Sequence, residues 1–122
     1  MPEIKNPALE AESLTDLWSP RVLAEVDDAY VKVAKIKGEF VWHSHDEEDE
    51  LFYILKGELK IEFEDGPLIL KQGDMYVIPK GVKHNPVAEE ECHVMLIERK
   101  STRHTGDVIA DKTRSIEEQL RS

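Results

Sequence analysis

Leu59 to Glu64 read LKIEFE, and Leu59, Ile61 and Phe63 alternate strictly with Lys60, Glu62 and Glu64. A period of two puts three apolar side chains on one face and three charges on the other, which is a half-buried β-strand. The pattern recurs, and that recurrence constrains the fold more than any other feature. Asp65-Gly66-Pro67 turns the chain into LIL, and Lys71-Gln72-Gly73-Asp74 turns it into MYVIP. HVMLIE follows the acidic stretch Glu89 to Glu91, and upstream RVLAEV and AYVKVAKIK are joined by the polar pair Asp27-Asp28. Roughly seven to nine short strands without an intervening helix predict an all-β sandwich or barrel.

Only the ends read as helical. Asn6-Pro7 has the chemistry to cap and start a short helix, with Leu14, Leu17 and Trp18 at helical spacing before Ser19-Pro20 stops it. Ser115 and Glu118 have capping-box spacing ahead of Leu120. Both segments are too short to stand alone, so each must dock on something. The 122 residues thus divide into an N-terminal segment, 1–20, a β-barrel, 21–110, and a short C-terminal helix or tail, 111–122.

Charge and cysteine usage narrow the function classes. A formal net charge of −10 repels phosphate backbones and anionic membranes, so no nucleic-acid or membrane partner is expected. Cys92 is the single cysteine; no intramolecular disulfide can form, and it reads as a small core side chain. The opening MPEIKNPALEAESL lacks the basic and apolar regions of a signal peptide, and no apolar run approaches the roughly 20 residues of a membrane span. The expectation is a cytoplasmic protein.

The chemistry concentrates in HSHDEEDELFYILKG, His43 to Gly57. In a strand, His43 and His45 face one way and Trp42 and Ser44 the other, so the two imidazoles can converge on one ion. The same parity would turn Phe40 away, leaving Phe40 and Trp42 as packing residues. Glu50 shares a strand face with Phe52 and Ile54, whereas Asp46 to Asp49 read as a solvated turn. If that face is interior, Glu50 is a carboxylate in an apolar setting, costly unless paired or metal-bound. His84, after the Pro79-Lys80-Gly81 turn, offers a third imidazole. Three imidazoles and a carboxylate suit a divalent transition metal (Mn, Fe, Ni, Co, Cu or Zn) rather than Ca or Mg. Ordinary imidazoles would yield the ion to protons below about pH 6. Phe52, Ile54 and Met75 read as pocket walls, His93 as a hydrogen-bonded histidine beside Met95 and Ile97, and His104 as a turn residue past the barrel.

Gly38, His43, His45, Glu50 and Gly57 resemble the first motif of the cupin superfamily, and Gly73, Pro79, Gly81 and His84 its second. The resemblance implies a double-stranded, jelly-roll-like β-barrel from about Arg21 to Glu98, with a metal in its mouth held by His43, His45, Glu50 and His84. It also implies a homodimer. Two positions depart from the pattern: four residues rather than five separate Gly38 from His43, and Ala88 stands where the second motif ends in asparagine. Among cupins, both dioxygenase and sugar isomerase chemistry occur. The resemblance therefore implies a small metalloenzyme acting on an oxygen-rich small molecule, with a non-catalytic metal- or ligand-binding module as the competing class. Isomerisation needs a general acid or base, for which the sequence offers only His93 and Tyr76. No catalytic residue is assigned beyond the ligands. No glycine-rich phosphate loop adjoins the site, which weighs against a phosphorylated substrate.

Overall fold

The structure is a computed structural model that describes residues 3–106 and 113–121. It is all-β with short terminal helices. Helix α1, Pro7–Glu12, precedes seven strands: β1 Arg21–Val26, β2 Ala29–Glu39, β3 Glu50–Lys56, β4 Glu58–Phe63, β5 Gly66–Lys71, β6 Met75–Ile78 and β7 His84–Arg99; α2 is Ile116–Arg121. Among the described residues, every ladder between these strands is antiparallel. No helix among the described residues is long and apolar enough to cross a membrane.

The curl of the sheet comes from β7. Its first residues, 84–87, pair with β4, and residues 93–98 pair with β3, while β2 runs alongside both parts. At the changeover the β2 register jumps from Ile36↔Cys92 to Gly38↔Ala88, which leaves the exposed Glu89 to Glu91 out of step. Gly38 accommodates the jump with a φ of 85°, a backbone conformation that costs glycine little. The acidic stretch thus interrupts a pairing inside one long strand, where the sequence reading set it before a separate one. One strand serving two groups of neighbours rolls the sheet into a barrel. It stays open between β5 and β6, which share no ladder among the described residues.

The alternation in β4 turns inward as expected: Leu59 and Ile61 are fully buried together with Ile54 of β3. Each such side chain contributes roughly 1.5–3 kcal/mol relative to exposure. The N-terminal segment docks on its own barrel, where Ala11 and Leu14 pack on Val33 and cover the outer face of β2. Asn6 caps α1 by accepting the Leu9 N–H at 3.2 Å, with Pro7 in the first turn. The helix ends at Glu12, short of Leu14, Leu17 and Trp18. Leu17 instead bridges Lys35, and the Trp18 indole enters the core and donates to the Lys37 carbonyl at 2.8 Å. Burying that ring outweighs another helical turn. At the other end the capping box forms: Glu118 N–H to Ser115 Oγ at 3.2 Å, and Ser115 N–H to Glu118 Oε1 at 3.1 Å.

Candidate metal centre

His43 and His84 are joined through their backbones in an isolated antiparallel bridge, with reciprocal N–H to O distances of 3.0 and 2.9 Å. Residues 40–49 otherwise form no strand, so the parity expected for His43 and His45 does not apply there. Both rings are nevertheless buried, and each bridge partner is pinned in the same way. Nδ1 of His43 lies 2.8 Å from the Val41 carbonyl, and Nδ1 of His84 lies 2.9 Å from the Val82 carbonyl. A carbonyl only accepts, so both Nδ1 atoms carry the proton and both Nε2 lone pairs are free for the centre.

Glu50, the first residue of β3, sets Oε2 3.6 Å from Nε2 of His45 and Oε1 3.6 Å from Nε2 of His84. One donor atom from each of His43, His45, Glu50 and His84 lies within 4.8 Å of the others, and all four residues are buried. Donors sharing one ion at bond lengths near 2.1 Å stand roughly 3–4 Å apart. Both ring nitrogens of His45 and Nε2 of His84 are buried without a hydrogen-bond partner. Such unpaired atoms cost about 1–3 kcal/mol each, and a cation at the centre removes that cost for His84 Nε2 and one nitrogen of His45. The residues fit a metal ion.

The electrostatics agree. Burial, reinforced by His84, lowers the His43 pKa to about 3, and burial likewise lowers His45 and His84. All three imidazoles are therefore neutral, the form that ligates. Burial raises Glu50 above its ordinary value. A cation beside it would favour the carboxylate again.

A protein-family model described as a cupin domain matches residues 29–98, a span that covers more than half of the chain and holds all four residues. The chain is a cupin. It is similar to the uncharacterized protein YdbB of Bacillus subtilis strain 168, at 38% identity over 85 residues, which make up 69% of this chain and 75% of YdbB. The crystal structure of a cupin-2 domain containing protein from Shewanella frigidimarina aligns with a TM-score of 0.76 and 47% identity, over 79% of this chain and 94% of that one. Protein NMB1881 from Neisseria meningitidis aligns with a TM-score of 0.72 and 28% identity, over 80% of this chain and 99% of its own.

Beside the cluster this cupin carries two buried ionisable residues that the sequence pattern left unassigned. Glu98 of β7 is the ladder partner of Glu50, and its Oε1 lies 2.7 Å from the Lys32 Nζ. Burial and the neighbouring Glu50 push the Glu98 pKa up to about 8. A signal existed for both residues. Lys32 has the parity of Ala34 and Ile36, and Glu98 that of Val94 and Leu96, so both point inward. His104 was also missed. It returns to the site with its ring 5.1 Å from Phe40, and its Nδ1 accepts the Arg114 N–H at 2.8 Å. Phe40 does not turn away: its ring meets His43 edge-on at 5.6 Å and stacks on Trp18 at 4.6 Å. A cavity of about 40 Å³ opens on His43, Glu50 and His104, with Trp18, Phe40, Phe52 and Leu96 among its walls.

Other expected site residues lie elsewhere. Met75 is 63% exposed and forms no wall. Tyr76 packs 6.2 Å from Phe63, which itself lies 6.5 Å from His84, and it is not among the residues lining the cavity beside the cluster. His93 is buried on the other face of β7 and holds Glu91 Oε2 at 2.9 Å, a structural bond. Two of the turn acids are tied down rather than simply solvated: Asp49 accepts the Lys80 N–H, and Glu48 accepts the Ser101 hydroxyl, both at 2.8 Å. Cys92 is fully buried, and burial pushes its thiol up to about 12, so it is an inert core side chain.

Proposed function

We propose that this cupin is a small mononuclear metalloenzyme in which His43, His45, His84 and Glu50 hold a divalent transition ion. Four protein ligands on an octahedral ion leave two positions for a chelating, oxygen-bearing small molecule, and the bound ion would supply Lewis-acid or redox chemistry. The observation that carries the reading is the cavity of about 40 Å³ beside His43 and Glu50. Its walls favour dioxygenase-like over isomerase-like chemistry. Ile36, Phe40, Phe52, Val94 and Leu96 offer a sugar hydroxyl no hydrogen-bond partner, whereas O2 needs none. His104 is the titratable residue other than the ligands that faces this cavity among the described residues, too little for a full acid–base pair.

The barrel unit is taken as residues 21–110, with 1–20 and 111–122 as appendages; the second boundary lies outside the described residues. The acidic charge and the free thiol of Cys92 support a cytoplasmic protein without a nucleic-acid partner. The exposed Met75, Tyr76 and Val77 on edge strand β6 support a homodimer, which light scattering would test. Elemental analysis of the purified protein, followed by O2-uptake assays with Fe2+-loaded protein and a panel of vicinal diols, tests the activity. One ion per chain with turnover of at least one diol is expected. One ion per chain with no turnover would move the reading to a non-catalytic binding module.

A further inference from the structure

Lys32 is 1% exposed, and a lysine is almost never buried so deeply without a partner. Its Nζ has two partners. One is Glu98 Oε1 at 2.7 Å; the other is the side-chain oxygen of Gln119, in helix α2 at the far end of the chain. Gln119 is itself 2% exposed, and its Nε2 donates to the Arg114 carbonyl at 3.0 Å, which fixes the orientation of the amide. Glu98 in turn pairs with Glu50 across the β3–β7 ladder, and the two side chains interact. Gln119, Lys32, Glu98 and Glu50 therefore form one line from α2 to the candidate metal centre. It begins outside the residues that match the family model, 29–98.

Glu98 lies against Glu50 across the ladder, so whatever fixes the Glu98 side chain also fixes the wall behind Glu50. Lys32 holds Glu98 Oε1 at 2.7 Å and so fixes that side chain. Glu50 is then left facing His45 and His84. An apolar pair of similar volume would stabilise the fold at least as well as a buried ion pair, so stability alone gives little reason for a lysine here. We propose that Lys32 and Glu98 are positioning residues for Glu50, and that Gln119 makes α2 part of the metal site. This rests on the metal-centre reading.

The test uses the full chain with Co2+ as probe. Affinity is read by chelator competition, coordination by the d–d absorption bands, and folding by thermal melting. Lys32→Met is expected to weaken Co2+ binding by about 10- to 100-fold and to alter the bands, as changes behind metal ligands do. Gln119→Ala should weaken it several-fold, and Glu58→Gln, on the exposed end of β4, should leave both readouts unchanged. A folded Lys32→Met variant with wild-type affinity and bands would overturn the inference. If Lys32→Met does not fold, Gln119→Ala decides, and unchanged affinity and bands there overturn it equally. Absence of Co2+ binding by the wild-type chain would instead sink the metal-centre reading. Binding lost in His84→Ala but retained in both other variants would sink this inference alone.

Discussion

Nε2 of His84 and Oε1 of Glu50 stand 3.6 Å apart, each on the first residue of its own strand. The gap is too wide for a hydrogen bond and suits two donors that share an ion. His84 is placed by its bridge to His43, and Glu50 by its ladder partners Ile78 and Glu98, so neither can drift without disturbing the sheet.

Among the five acids from Asp46 to Glu50, only Glu50 should matter to the metal. Glu50→Gln is expected to weaken binding of a divalent ion by roughly 10-fold or more. Asp49→Asn keeps an oxygen that can accept the Lys80 N–H and should shift stability by no more than about 0.5 kcal/mol while leaving affinity intact. Isothermal titration and urea unfolding of the two variants check this. Lost binding in Asp49→Asn with retained binding in Glu50→Gln would reverse the assignment.

The pH dependence of binding should belong to the carboxylate. Burial lowers His43 to about 3 and lowers His45 and His84, so protons compete for these imidazoles less than for ordinary ones. Glu50 is raised by burial, and protonating it removes the one anion, so affinity falls as pH falls. Titrations at pH 7, 6 and 5 should show a flatter dependence in Glu50→Gln than in the wild type. Equal slopes would return the competing proton to the histidines.

His104 should make the fold acid-sensitive. Burial lowers its pKa to about 4, below the ordinary 6.5, so the folded state binds this proton less readily than the unfolded chain. Its stabilising contribution is complete above pH 6.5 and is lost as pH falls from 6.5 toward 4. Protonation would also place a second donor against the Arg114 N–H. His104→Asn, which cannot take up the proton, should show a shallower fall in the urea midpoint between pH 7 and 4. An unchanged fall would place the acid sensitivity elsewhere.

Gly106 holds the loop after β7 against the ligand segment. Its φ is 60°, and an added Cβ would collide with the Ser44 carbonyl, between His43 and His45. Backbone cannot yield as a flexible side chain does. Gly106→Ala should therefore lower stability by about 1–3 kcal/mol and weaken metal binding as well. Unfolding curves and Co2+ affinity measured together check it, and two unchanged values would show that the loop is free to move aside.

What the sequence determined by itself is the periodic part. Alternation in β4 and parity in β3 put Leu59, Ile61, Glu50, Phe52 and Ile54 inside, because successive side chains of an extended chain must take opposite faces. The two motifs also identified His43, His45 and His84, which the structure brings into one buried cluster with Glu50. Tertiary structure decided whatever depends on closure. It ended α1 at Glu12 so that Trp18 could fill the core, and it turned Phe40 onto His43 where residues 40–49 leave the strand. It also carried His104 back to the cavity and set Gln119 on Lys32. Periodicity is a property of neighbours along the chain and can be read there. Which distant residues meet depends on how the sheet curls and what it must bury, and no local pattern encodes that.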